Sequence, residues 1–159
     1  MGHLTGKTAI ITGGGRAVLT DGTCGSIGYG IATAYAKEGA NLVLTGRNMQ
    51  KLTDAKTELE DLYKIKVLPI QADVSAGSNN EAIVQNVINK TIETFGSIDV
   101  LINNAQASAS GVSIADHTTT QFDLAIYSGL YAAFYYMRAC YPYLKESKGS
   151  VINFASGAG

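Results

Sequence analysis

The sequence predicts an α/β fold, a doubly wound parallel sheet of five strands with helices on both faces. Three observations carry that expectation. Short apolar, β-branched runs alternate with longer amphipathic segments from one end of the chain to the other. The runs are continuously apolar rather than alternating with polar residues, which suits strands covered on both faces. A glycine-rich stretch follows the first run, where the chain passes from a strand into a helix.

The strand runs are Thr8 to Thr12, Leu42 to Thr45, Lys66 to Gln71, Ile98 to Ile102 and Ser150 to Ala155. Between them lie four helical patterns. The first, Ile27 to Glu38, ends at Gly39, a residue suited to a left-handed cap, and Asn48 can cap the second, Met49 to Tyr63. Ser78 and Glu81 have capping-box spacing at the start of the third, whose apolar face is Ile83, Val84, Val87, Ile88, Ile92 and Phe95 and which Gly96 ends. The fourth is expected to start near Thr120, with Asp123 in the box position and a stripe of Phe122, Ile126, Leu130, Phe134, Met137 and Tyr141. Right-handed crossovers then wind the five strands into one sheet whose ligand crevice lies at the strands' carboxyl ends.

The 159 residues suffice for one domain, residues 1–159, with no low-complexity tract or proline-rich linker to divide it. Hydrophobic residues make up 46% and charged residues 16%, a globular balance. A net charge of −1 gives no reason to expect nucleic acid or an anionic membrane as partner. The amino-terminal apolar run is too short for a signal peptide and no stretch approaches the ~20 apolar residues of a membrane span, so a cytoplasmic location is expected. Cys24 and Cys140 form no metal-ligand spacing and no disulfide framework, consistent with a reducing compartment, and no metal site is expected.

The glycine-rich connection is the first chemical signal. After T-G-G-G-R and a detour, G-S-I-G-Y-G-I-A opens the first helix. Glycines let backbone approach a pyrophosphate, and free amides at a helix start favour negative charge. Thr12-Gly13 followed by Ile27-Gly28 resembles the T-G-x-x-x-G-x-G fingerprint of the short-chain dehydrogenase/reductase family, whose fold is Rossmann-like. Two departures stand out: Ala17 to Gly25 lengthens the loop, and Ser26 occupies the middle glycine's place. The latter is similar to the S-I-x-x-G-I-A variant of enoyl reductases in the same superfamily, where the serine contacts phosphate; Ser26 is read as that contact or as a plain helix N-cap.

Three further segments extend the resemblance. The second strand ends in T-G-R-N, so Gly46 stands where an NAD-selecting acid would be and Arg47 follows; an arginine there can pair with the 2′-phosphate of NADP, a contact Arg16 could supply instead. NADP is accordingly favoured over NAD. The third strand ends in A-D-V, where Asp73 resembles the family residue that accepts from the adenine amino group, with Val74 beside it. A helix-capping role is the other reading of Asp73. The fourth strand ends in I-N-N-A-Q, close to the family's N-N-A-G; Asn103 and Asn104 combine donors with acceptors and can tie neighbouring strand ends to the cofactor ribose, the resemblance implies that Asn104 and Ala105 bind the cofactor, and Gln106 adds a side chain where glycine is usual.

For catalysis, S-V-I-N-F-A-S is similar to the family's V-N-I-S-S segment and places the active-site serine at Ser156, a hydrogen-bond donor to a substrate carbonyl or its developing oxyanion. The family's proton donor is a tyrosine with a lysine four residues on, on a helix after this strand; that segment, like the carboxyl-terminal strands of relatives, falls beyond Gly159, so the 159-residue chain is expected to be catalytically incomplete. Tyr141 and Lys145 have the spacing but precede Ser156 and flank Pro142, and are read as surface residues. The helix-borne asparagine of many relatives, which helps hold a relay water, aligns with Gly129, a sign of a helix irregularity, a different relay or an enoyl-reductase pattern. The resemblance therefore implies an NADP-preferring oxidoreductase transferring hydride to or from a small carbonyl or alcohol substrate; the alternatives are an enoyl reductase and a non-catalytic nucleotide-binding module. Tyr127, Tyr131 and Tyr135, at helical spacing on the fourth helix, mark a candidate homo-oligomer surface.

Overall fold

A computed structural model describes residues 2–155 of the chain. The first strand, β1 (Thr8–Thr12), leads through the glycine-rich loop into α1 (Ile27–Lys37); β2 (Asn41–Gly46), α2 (Met49–Tyr63) and β3 (Val67–Gln71) come next. A 3₁₀ turn (Gly77–Asn79) then precedes α3 (Asn80–Phe95) and β4 (Val100–Asn103). After a loop come α4 (Thr119–Ala125), a π-helical segment (Ile126–Tyr131), α5 (Ala132–Ser147) and β5 (Ser150–Asn153). All pairings are parallel, in the order β3-β2-β1-β4-β5, so the order reverses beside β1 and opens a crevice between the carboxyl ends of β1 and β4.

Successive residues of each strand feed opposite layers. Ala9 and Ile11 with Leu42 and Leu44 meet Ala32 and Ala36 of α1 and Leu52, Ala55 and Leu59 of α2. Ile10, Val43 and Leu101 meet Val84, Val87 and Ile88 of α3 and Tyr136, Cys140 and Leu144 of α5. The fully apolar strand runs are thus explained by burial on both faces. Among the described residues β5 has only β4 beside it, and its four residues are exposed. No helix among the described residues is long and apolar enough to cross a membrane.

Most element boundaries fall within two residues of the sequence expectation; Gly39 takes the expected left-handed conformation, and Gly96, which ends α3 as expected, takes it too. Two caps differ. Ser78 lies in the 3₁₀ turn and does not cap α3; the buried Asn80 holds that junction, donating from Nδ2 to the Val74 carbonyl at 2.6 Å and to the Tyr127 carbonyl at 3.4 Å. The fourth-helix capping box is Thr118 with Gln121, not Thr120 with Asp123: Gln121 N donates to Thr118 Oγ1 (3.2 Å) and Thr118 N to Gln121 Oε1 (3.0 Å). The expected apolar stripe also differs from the buried one. Ser128, Ala132, Tyr136, Cys140 and Leu144 are buried, the last three in the core against the sheet, whereas Phe122, Leu130, Phe134 and Tyr141 are exposed. This segment is apolar on several faces, the π turn shifts the facing of α5 relative to α4, and small residues allow the close approach to the sheet that large ones would block.

Candidate functional site

The carboxyl ends of β1, β2, β4 and β5 line one continuous cleft, with one end at the glycine-rich turn where phosphate is expected, one beside Asp73 where adenine is expected and a third beside the π segment. The phosphate end is shaped by backbone. Gly13 leaves β1 with φ +74°, and both Gly13 N and Gly14 N donate to the Thr45 carbonyl, at 2.8 and 3.1 Å. A Cβ on Gly28 would lie far inside contact distance of the Gly13 carbonyl and 2.7 Å from Asn104 Nδ2, so only glycine lets the start of α1 sit this close to the strand end. Ser26 is the N-cap, its hydroxyl accepting from Tyr29 N at 3.4 Å; it also lines the cleft, while Ile27 is 64% exposed beside it. The long loop closes on itself before α1. Val18 bridges Cys24 in an antiparallel pair, Leu19 N donates to the Thr23 carbonyl (2.9 Å), and Gly25 N returns to the Ala17 carbonyl (2.7 Å).

The two arginines part company. Arg47 is exposed at the end of β2, lines the cleft with Gly46, Asn48 and Lys51, and forms no ion pair among the described residues. Arg16 does not reach the cleft: its Nε pairs with Glu58 of α2, and Tyr29 Oη donates to the other carboxylate oxygen at 2.6 Å. The Tyr29 hydroxyl and the Arg16 guanidinium hold the Glu58 carboxyl below its ordinary value despite partial burial. That pairing draws Arg16 over α2, so the phosphate contact considered for it has no geometric support.

At the adenine end Asp73 Oδ1 accepts from Ser75 N (2.9 Å) and Ser75 Oγ (2.7 Å), a turn that fixes the carboxylate on the cleft wall beside Val74 and opposite Ala105. No helix is capped by it. Asn104 bridges the strand ends, donating from Nδ2 to the Thr12 carbonyl (2.9 Å), and the Thr12 hydroxyl accepts from both Asn104 N and Ala105 N at 2.9 Å. Thr12 is therefore a clamp between β1 and β4 that the motif reading passed over; its signal was a hydroxyl at a buried strand end facing an N-N pair.

At the third end Asn103 Nδ2 donates to Asn153 Oδ1 (2.8 Å) across β4 and β5. Gln106 projects along the π segment, and a Cβ on Gly129 would lie 3.4 Å from its Nε2. Ser128, which no sequence signal identified, accepts at Oγ from Ala107 N (2.9 Å) and faces the Leu124 carbonyl at 2.7 Å, pinning the loop to the helix. Tyr136 lines this end with a buried hydroxyl that has no partner among the described residues; burial pushes its pKa up to about 12, so it is neutral at ordinary pH. Phe154 and Ala155 border the same space, and Ser156 lies outside the described residues. Tyr141 and Lys145 are exposed in the last turns of α5, away from the cleft. No cluster of metal-ligating side chains occurs among the described residues.

A family model described as short chain dehydrogenase matches residues 7–159. The chain is 67% identical over 159 residues to a 12α-hydroxysteroid dehydrogenase of a Clostridium species, covering 100% of this chain and 59% of that protein. Among solved structures, L-sorbose reductase of Gluconobacter frateurii complexed with NADPH and L-sorbose is similar at TM-score 0.83 and 28% identity, over 99% of this chain and 54% of that one. NAD+-bound xylitol dehydrogenase is similar at TM-score 0.84 and 25% identity, over 99% and 55%. The chain thus spans little more than half the length of these relatives.

Proposed function

The chain belongs to the short-chain dehydrogenase family, and on that premise we propose that residues 1–159 are the nucleotide-binding domain of an NADP-linked oxidoreductase that interconverts a hydroxysteroid and its ketone. The observation that carries the cofactor reading is the end of β2: Gly46 offers no carboxylate to ribose hydroxyls, and Arg47 presents a guanidinium to the cleft with no protein partner among the described residues. The bound dinucleotide supplies the hydride donor or acceptor. Gly13, Gly28 and the start of α1 receive the pyrophosphate, Asp73 and Val74 the adenine, and Asn104 and Ala105 a ribose. Ser156 would donate a hydrogen bond to the substrate oxygen.

The steroid class rests on the 67% identical relative. The aromatic side of α4 to α5 supports self-association: Tyr127, Tyr131 and Tyr135 form a row with ring centroids 5.4 and 6.0 Å apart, and Arg138 lies over Phe134 and Tyr135. Two cysteines without a disulfide fit a cytoplasmic enzyme.

The test mixes the whole oxidoreductase of which residues 1–159 are this domain with a 12α-hydroxysteroid and either NADP+ or NAD+ and follows formation of the reduced cofactor. Reduction of NADP+ with at least about tenfold poorer use of NAD+ is expected, the size of one charged contact. No reduction of either cofactor refutes the activity, and equal use of both refutes the preference.

A further inference from the structure

The Ala17–Gly25 excursion stands between the two working parts of the glycine-rich connection, the turn at Gly13 and the start of α1 at Gly28. Extra chain in such a place lets its two ends drift apart unless something holds them. The excursion closes its own neck: Gly25 N donates to the Ala17 carbonyl at 2.7 Å, and Val18 bridges Cys24. Those contacts fasten the loop to itself, not to the rest of the domain.

The base of the loop is held by α2. Arg16, the residue before the excursion, and Tyr29, in the first turn of α1 after it, meet on one carboxylate: Arg16 Nε donates to Glu58 Oε2, and Tyr29 Oη donates to Glu58 Oε1 at 2.6 Å. Each oxygen of Glu58 thus serves one flank of the loop. Arg16 N also donates to the Lys51 carbonyl at 2.8 Å, a second tie to the same helix. Gly15 and Ala17, on either side of Arg16, border the phosphate end of the cleft. Tyr29 follows Gly28, which lies against the Gly13 carbonyl too closely to carry a Cβ. A shift of either flank is therefore a shift of the groups that would meet a pyrophosphate. A lone exposed ion pair contributes little, but here a tyrosine that is 3% exposed and a partly exposed guanidinium share one acceptor, so the three side chains act as a network.

We propose that Glu58 is a positioning residue for the dinucleotide's pyrophosphate, acting through Arg16 and Tyr29 to hold the glycine turn and the start of α1 at the spacing the anion requires. The inference rests on the proposed nucleotide-binding function. It gives Arg16 a place in the frame of the site and leaves the 2′-phosphate to Arg47. Loss of the Glu58 carboxylate then weakens every ligand that carries a pyrophosphate, with or without a 2′-phosphate, and spares a ligand that has none.

The experiment measures binding of NADPH and NADH by fluorescence, and of 2′-AMP by calorimetry, to the whole oxidoreductase as wild type, Glu58→Ala, Glu58→Gln, Arg16→Ala and the double variant Arg16→Ala with Glu58→Ala. The probe 2′-AMP carries the adenine and the 2′-phosphate but no pyrophosphate. In Glu58→Ala the NADPH and NADH affinities are expected to fall together about fivefold, the net worth of a hydrogen bond, while 2′-AMP stays within about twofold. Glu58→Gln keeps an acceptor and a donor for the two partners and is expected to lose less than Glu58→Ala. The double variant is expected to be no weaker than Glu58→Ala alone, because both changes break the same link. Unchanged NADH affinity in Glu58→Ala overturns the proposal, and so does a gain in NADPH affinity, which would show that a freed Arg16 reaches the phosphate. An equal loss for 2′-AMP overturns it as well, since the substitution would then have disturbed α2 as a whole, as do fully additive losses in the double variant. A wild type that binds neither NADPH nor NADH overturns the functional reading and this inference with it, and that outcome is distinct from the others because it appears before any substitution is made.

Discussion

At the phosphate and adenine ends of the cleft, the shaping contacts come from backbone and from residues next to the strand ends: Gly13 against Asn104, the Thr12 hydroxyl on two amides, Asp73 closing its own turn. At the third end they come from a π-helical turn, a loop and an edge strand brought together from three places in the chain. The first arrangement is close-packed, with a side chain excluded at Gly28 by the Gly13 backbone; the second has, among the described residues, an unpaired amide, a buried hydroxyl without partner and an exposed strand. A dinucleotide makes the same demands on any such crevice, so it can be met by rigid local geometry. A substrate differs from enzyme to enzyme, and the end that would meet it is built from parts that can vary without disturbing the sheet.

Substitutions can break this contrast at its strongest point first. Gly28→Ala drives a Cβ into the Gly13 carbonyl and the Asn104 amide, and is expected to cost at least about 3 kcal/mol in urea unfolding and to abolish NADPH binding. A loss below about 1 kcal/mol would show that α1 can withdraw and that the phosphate end is not rigid. Thr12→Val keeps the shape but leaves the amides of Asn104 and Ala105 without their acceptor, for an expected loss of about 2 kcal/mol by the same measurement. Unchanged stability would mean that β1 and β4 do not depend on this clamp.

Arg47→Ala should leave the unfolding midpoint unchanged and weaken NADPH about tenfold, about 1.4 kcal/mol, with NADH unaffected in parallel fluorescence titrations. Equal losses for both nucleotides would move the 2′-phosphate contact elsewhere, with Lys51, on the same wall, the next residue to change.

The smallest expected effect lies at the opposite end of the strands, beside the starts of β1 and β4, and serves as the control. Burial pushes the Asp99 carboxyl up, but Lys7 Nζ (2.8 Å), Thr8 N (2.9 Å) and Ser97 Oγ (3.2 Å) together outweigh it and hold it below its ordinary value. A lowered folded value means that Asp99 stabilises the protein above the unfolded pKa of about 4, and that this contribution is lost as pH falls through the lower folded value. Urea midpoints for the wild type should therefore decline below about pH 4 more steeply than those of Asp99→Asn, which is expected to be about 1 kcal/mol weaker at pH 7 with NADPH affinity intact. Parallel pH profiles would remove Asp99 from the account.

The half of the cleft proposed for the nucleotide was legible because each part of it is a short word at a strand end: T-G, S-I-G, T-G-R, A-D-V, N-N-A. Even there the two arginines could not be told apart, because only the fold brings Glu58 from the next helix under Arg16. Around the fourth helix the signals competed. H-T-T-T-Q-F-D offers overlapping capping boxes, and the pairing that closes is Thr118 with Gln121. Large apolar residues recur on faces that remain exposed, while the buried face is built partly of serine, alanine and cysteine.

The sequence by itself determined the strand count, the parallel winding, the crevice at the strands' carboxyl ends and the residues that line the half of it proposed for the nucleotide, because hydrophobic runs and glycine geometry act over a few neighbouring residues. The tertiary structure decided which face of the α4 to α5 segment is buried, where Arg16 points, and that Gln106 lies on Gly129. Those depend on groups between 23 and 42 positions apart coming within contact, and no local pattern encodes such a meeting.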